Sequence, residues 1–189
     1  MKLSYPDSLK GHFLIAMPEL ADPNFIETVI FVCEHTQAGA VGLVINRPHS
    51  FLTGKDLYEE LKMEYIPAAE SISVFAGGPV HVNEIFILHG PPFGWQGCLT
   101  VTPALAMSNT IDILQAVAMG KGPDAFVVTL GCSGWGPGQL ESEIKGNVWL
   151  TVPVSEEILF AVPVESRWEA AMRKVGVNPL LLSGKAGHA

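Results

Sequence analysis

Two apolar runs rich in β-branched residues, 28–33 (Thr-Val-Ile-Phe-Val-Cys) and 41–45 (Val-Gly-Leu-Val-Ile), are separated by a short polar connection from Glu34 to Gly39. Such runs read as strands buried on both faces, and a connection this short predicts a β-hairpin. Asn46-Arg47-Pro48 closes it. Further strand-like runs lie at 13–17, 72–76, 84–89, 99–102, 126–130 and 148–152. Helices are expected from Thr53 or Gly54 to Met63, from Ser108 to Met119, over 139–145 and over 165–175, with Gly176 as the last cap and Ser155 capping a further turn. About eight strands and four helices without a βαβ rhythm predict an α+β fold on a mixed or antiparallel sheet. At 189 residues, one domain is expected, with 1–11 as a polar lead-in and 177–189 as a loose tail.

Composition narrows the function. Hydrophobic residues make up 48% and charged residues 16%, and the mean hydropathy is +0.31. Either the strands are buried on both faces or an apolar surface serves self-association, which admits a homo-oligomer. Net charge is −8, and the eleven basic residues are scattered. Nucleic-acid affinity rests on clustered cations, so no direct nucleic-acid contact is expected, nor polybasic attraction to a membrane. No apolar run approaches the ~18 residues of a membrane span, and the first residues lack a signal peptide's apolar core. Three cysteines, Cys33, Cys98 and Cys132, are odd in number and far apart. That argues against a disulfide framework and for reduced thiols in a cytoplasmic protein.

The segment 131–141 (Gly-Cys-Ser-Gly-Trp-Gly-Pro-Gly-Gln-Leu-Glu) follows a strand and leads into a helix, where α/β proteins often hold ligands. It fails as a phosphate loop, because Pro137-Gly138 stand where Lys and Ser/Thr are needed. It fails as a nucleophile elbow, because Trp135 displaces the closing glycine. Cys132 is a candidate reactive thiol at a helix start, set against a plain role as a small buried residue. Structure alone also accounts for the segment: glycines admit unusual backbone, Trp135 packs, and Gln139, Glu141 and Glu143 line a solvated face. The histidines form no zinc motif; Cys33 reads as core and His35 as exposed. Arg47 is placed either to take an anion or carboxylate or to form a salt bridge at a strand end. The Phe93-Gly94-Trp95 loop reads as an exposed contact surface.

Several segments carry a family resemblance: 9–16 (Leu-Lys-Gly-His-Phe-Leu-Ile-Ala), 22–25 (Asp-Pro-Asn-Phe), 39–48 (Gly-Ala-Val-Gly-Leu-Val-Ile-Asn-Arg-Pro), 77–80 (Gly-Gly-Pro-Val), 134–141 and the closing 186–189 (Ala-Gly-His-Ala). In this order they resemble the bacterial AlgH/YqgE family across nearly the whole chain. The resemblance implies a single α+β domain whose branched, highly twisted sheet folds toward a pseudo-barrel. Members are described as candidate transcriptional regulators, one of them associated with control of alginate synthesis. No reaction, cofactor or catalytic set comes with the family, so no cofactor or metal is expected and the reading leans away from an enzyme. The family's usual loop has Tyr-Ala at Cys132-Ser133, which points away from both as shared nucleophiles. The matching residues Asn46, Arg47, Gly77, Gly78, Trp135, Gln139 and Glu141 are the candidates for a ligand or partner surface. Two readings stand: a regulator acting through another protein, or a small-ligand binder or enzyme built on 131–141 and the Asn46-Arg47 turn.

Overall fold

A glycine lets one strand serve two halves of the molecule. In the computed structural model, which describes residues 8–178, β9 (Phe126–Trp135) is ten residues long. Gly131 sits in its middle with φ +71°. Glycine takes this left-handed conformation without a Cβ penalty, so the strand bends there and continues. Before the bend, Val128, Thr129 and Leu130 pair in parallel with β5 (Ser73–Ala76) and antiparallel with β6 (Val80–His89). Beyond it, Ser133, Gly134 and Trp135 pair with β3 (Gly39–Val44). The expected loop at 131–135 is therefore strand. A glycine that reads as a break in sequence acts as a hinge inside the ladder.

The expected hairpin is present. β2 (Val29–Thr36) pairs antiparallel with β3 from Ile30↔Val44 to Thr36↔Gly39, and the strands extend through most of the polar connection. β1 (His12–Ala16) lies between β2 and β10 (Trp149–Pro153), antiparallel to both. On the other side, β6 pairs with β8 (Leu105–Ser108), which pairs with β7 (Leu99–Thr102). β4 (Pro48–Thr53) pairs only with β5. Among the described residues the sheet has ten strands in the order β10-β1-β2-β3-β9-β6-β8-β7, with β5 and β4 branching from β9. The branch matches the expectation; the sheet does not close into a barrel.

Two strands exceed the expected eight. β4 escapes a periodicity reading because nearly all its residues are exposed. β8 falls on residues to which no element was assigned and ends at Ser108, where a helix was expected to start; the helix α2 (Ile111–Ala118) begins only after Thr110 as its N-cap. The other helices are α1 (Gly54–Glu60), α3 (Gln139–Lys145) and α4 (Arg167–Val175). Residues 1–7 of the lead-in, 179–189 of the tail and the closing 186–189 motif lie outside the described residues.

Three apolar clusters fill the space around the sheet. Phe13, Ile15, Phe31, Leu43 and Ile45 pack with Ala171 and Met172 of α4. Leu14, Ile30, Val32 and Val44 pack on the other face with Leu140 and Ile144 of α3. β1 and β2 are thus buried on both faces, which accounts for their unbroken apolar runs and for much of the apolar composition. Tyr58 of α1 and Ile113, Leu114 and Val117 of α2 cover Val74, Ile87 and Val128. Among the described residues no helix is long and apolar enough to cross a membrane.

Glycines near the bend allow backbones to touch. A Cβ on Gly77 would stand 2.2 Å from the Gly131 carbonyl oxygen and 2.8 Å from Thr129 Oγ1. On Gly134 it would meet only Val80 Cγ2, at 3.7 Å. Gly77→Ala should therefore lower stability by about 3 kcal/mol, the upper end of overpacking costs. Gly134→Ala should leave it unchanged or slightly raised. Urea denaturation of the two variants tests the contrast.

Candidate functional site

The sequence-predicted site residues fall into two groups that share no cavity. The first begins at the turn after β3. Asn46 is consumed by the backbone: its Oδ1 accepts from Val29 N at 2.9 Å and its Nδ2 donates to Glu27 O at 2.8 Å. Arg47 donates from Nη1 to Pro23 O at 2.7 Å and from Nη2 to Ile26 O at 2.8 Å. The salt bridge weighed for it is not there; among the described residues Arg47 has no acidic partner within salt-bridge distance. It opens instead onto a cleft of about 620 Å³, lined also by Asn24, His49, Ala76, Gly78, Pro79, Val82, Asn83 and Leu130.

Two large bulges flank this cleft. In β4, His49, Ser50, Phe51 and Leu52 stand opposite Val74 alone, between the pairs Pro48↔Phe75 and Thr53↔Ser73. In β6, His81, Val82, Asn83 and Glu84 stand opposite Gly131 alone, between the pairs Val80↔Cys132 and Ile85↔Leu130. His81 takes φ +50°, and its Nδ1 lies 2.9 Å from Glu84 Oε1, tying the ends of that bulge. Bulges re-aim side chains and often sit beside functional sites. Here they present apolar groups to solvent: Phe51 is 95% exposed and Val82 56%, with Val80 at 38% and Ile26 at 43% nearby. Gly77 and Gly78 serve this region as backbone contacts. A Cβ on Gly78, at φ +149°, would stand 2.3 Å from Cys132 O.

The second group is Trp135, Gln139 and Glu141, and its polar atoms are bonded internally. The indoles of Trp135 and Trp149 donate to the same oxygen, Glu143 Oε2, at 2.9 and 2.8 Å. Gln139 Nε2 donates to Glu143 Oε1 at 2.9 Å, while Gln139 Oε1 accepts from Gly136 N at 3.0 Å. Glu141 Oε1 lies 3.0 Å from Nε2 of His35. Its own backbone N–H, ahead of the His35 bond, holds the carboxyl below its ordinary value. The His35 side chain is only 6% exposed, which corrects the reading of an exposed histidine. Its Nδ1 accepts from Leu9 N at 2.9 Å, so the ring is buried between the chain entering β1 and α3.

The nucleophile candidates are buried. Cys132 is 4% exposed, and burial pushes its thiol up. Burial, then the neighbouring Cys132, pushes the Cys33 thiol up as well. Ser133 is buried and donates to Gly77 O at 3.2 Å. A serine–histidine contact also occurs elsewhere, Ser108 Oγ to His89 Nε2 at 2.9 Å, with His89 Nδ1 at 2.6 Å from Gly90 O. Both side chains are buried, which closes the pair to solvent, and burial lowers the histidine's pKa. The Phe93-Gly94-Trp95 loop is less open than expected. Phe93 and Trp95 are half-buried, and the loop is tethered by Gln96 N to Asp112 Oδ2 and Thr110 Oγ1 to Gln96 O.

Sequence reading missed Asn24, His49, Phe51, Val82 and Asn83. They come from separate segments with no shared motif; of the predicted site residues, Arg47 and Gly78 line the cleft.

The AlgH-like family matches residues 13–180. The chain belongs to the AlgH-like family. A UPF0301 protein of Desulforapulum autotrophicum is 53% identical over 181 residues, covering 94% of this chain and 96% of that one. The UPF0301 protein AlgH of Pseudomonas aeruginosa is 47% identical over an alignment of 191 residues that spans both chains fully. The solution structure of the AlgH protein from Pseudomonas aeruginosa superposes with a TM-score of 0.79 at 45% identity, each chain fully covered. A crystal structure from Corynebacterium diphtheriae, 19% identical, superposes at 0.75 over 97% of this chain and 94% of its own, and shares the fold. The AlgH-like architecture therefore extends across the whole described chain, and the cleft and the bulges are features of this chain within it.

Two outcomes follow from the bonded groups. Glu143→Ala strands two indole N–H groups and an amide, and should cost about 2–3 kcal/mol, with a change in tryptophan emission that accompanies the shift in urea midpoint. The thiols give a pH dependence. A thiol whose folded pKa is raised stabilises the fold below its unfolded value, about 8.5, and loses that contribution as pH climbs through the folded value. The urea midpoint should fall between about pH 8 and about pH 10. The Cys33→Ala/Cys132→Ala variant should show a shallower fall, and in the native protein half-exposed Cys98 should label first.

Proposed function

We propose that this protein regulates gene expression by holding a protein partner on the face between the two bulges, rather than by reading DNA or catalysing a reaction. One observation carries the reading. Of the six exposed large apolar side chains among the described residues, four, Ile26, Phe51, Val80 and Val82, belong to the segments around the Arg47 cleft. An exposed apolar patch rimmed by polar residues marks interaction surfaces. The regulatory role follows from the family resemblance. The route through a protein follows from charge: a chain of net charge −8 with scattered cations lacks the counterion-releasing surface that DNA binding needs.

A second reading has support in the same place. The cleft volume of about 620 Å³ falls within the range of small-molecule sites, and Asn24, Arg47, His49 and Asn83 supply polar groups. On this reading a low-molecular-weight ligand would occupy the cleft.

The readings separate experimentally. Phe51→Ser and Val82→Ser, at exposed positions, should change stability by less than about 0.5 kcal/mol. They should abolish co-purification of proteins captured by the wild type from a native lysate. Retention of the same proteins by both variants would reject this face. A nanomolar, sequence-selective gel shift with DNA at physiological salt would reject the indirect route. A melting temperature raised by one member of a metabolite panel, through binding to the folded state alone, would favour the second reading.

A further inference from the structure

Among the described residues, Arg47 has no counter-anion. The carbonyls of Pro23 and Ile26 fix its guanidinium and leave further N–H donors of the fork outside those bonds. It is half-buried and forms no ion pair among the described residues. The residues that line its cleft include His49 and no Asp or Glu, although the chain as a whole carries a net charge of −8. The cleft is thus a cationic notch in an acidic protein. The β4 bulge lines it through His49 and the β6 bulge through Val82 and Asn83; Val82 is 56% exposed, and Phe51, two residues beyond His49, is 95% exposed.

A rigid planar fork suits a carboxylate, which it can meet with two parallel hydrogen bonds. Fixing the fork in advance also reduces the ordering cost of binding. Apolar groups on both sides require apolar neighbours on the occupant. A nucleic-acid backbone would need cations repeated along its path, whereas Arg47 is the one Arg or Lys among the cleft-lining residues.

We infer that the partner presents an acidic side chain flanked by apolar ones, with the carboxylate seated on Arg47 and the flanking residues on Phe51 and Val82. This rests on the docking face proposed above and adds the chemistry of what docks there.

Selection of random displayed dodecapeptides on the wild-type protein tests it. Enriched peptides should carry Asp or Glu between apolar residues. A synthetic copy should bind about tenfold more tightly than its Asn or Gln analogue and shift amide resonances in both bulges. Arg47→Gln should remove the preference for acid over amide. Because Arg47 also holds two carbonyls, His49→Glu at an exposed position provides a second variant; it should weaken the acidic peptide several-fold without lowering the melting temperature. Failure to enrich any peptide, enrichment without acids, equal affinity for acid and amide, or resonance shifts confined to other regions would each overturn the inference. If Phe51→Ser releases captured proteins while peptides show no acid preference, the face stands and its anionic seat does not. If Phe51→Ser retains them, the face itself is lost.

Discussion

The bend at Gly131 is the constraint on which the rest of the structure depends. It lets β9 pair with β5 and β6 on one side and with β3 on the other. A side chain there would collide with its surroundings: a Cβ would stand 2.6 Å from Gly78 O and 3.0 Å from Val80 O. The β6 bulge lies against the same residue, with Val82 Cα 3.3 Å from that Cβ position. The bend, the Gly77-Gly78 approach and the bulge are therefore one packing solution. The cleft opens at its edge because β6 cannot follow β9 through the hinge without leaving residues over.

That junction is held from the opposite layer by α4. Arg167 is buried and donates from Nη1 to Ile45 O at 2.5 Å and from Nε to Val162 O at 3.1 Å, with its guanidinium 5.7 Å from the centre of the Phe75 ring. Trp168 donates to Ala16 O at 2.9 Å. A buried guanidinium is costly unless its donors are satisfied, and here carbonyls rather than a carboxylate satisfy them. Burial accordingly pulls its pKa below the ordinary value. Ile45 leads directly into Asn46 and Arg47, so the α4 anchor fixes the strand end from which the cleft arginine projects. Asn46, bonded to Val29 and Glu27, fixes it from the other side.

The sheet was legible where burial made it so. β1, β2, β3 and β10 announce themselves as apolar runs because α3 and α4 cover opposite faces of the same strands. α4 was legible from its stripe of Trp168, Ala171 and Met172 and from Gly176, whose φ of +85° closes the helix. β4 was not, since a bulged and exposed strand has no alternation to read. The candidate site was legible only through Arg47 and the Gly77-Gly78 pair. Its other members depend on two bulges, and a bulge shifts register through pairing partners that no local pattern names. His35 was misread for a related reason: a polar residue in a hairpin looks solvated until Leu9 and Glu141 are brought to it.

Bonding capacity separates the two polar regions. Around Trp135, each named group has found a partner inside the chain: Glu143 accepts two indoles and an amide, Gln139 spends both ends of its side chain, and His35 uses both ring nitrogens. Such a network stiffens the junction between β9 and α3, and an incoming ligand would have to break bonds already made. Around Arg47 the balance is reversed. The guanidinium keeps donors beyond its two carbonyl bonds, the cleft holds no acid to neutralise it, and the bulges place apolar side chains in water. Charge unpaired among the described residues and apolar area left exposed are both costs that an occupant can relieve. The physical case for function therefore lies with the cleft, and the glycine-rich segment that dominates the sequence serves to build it.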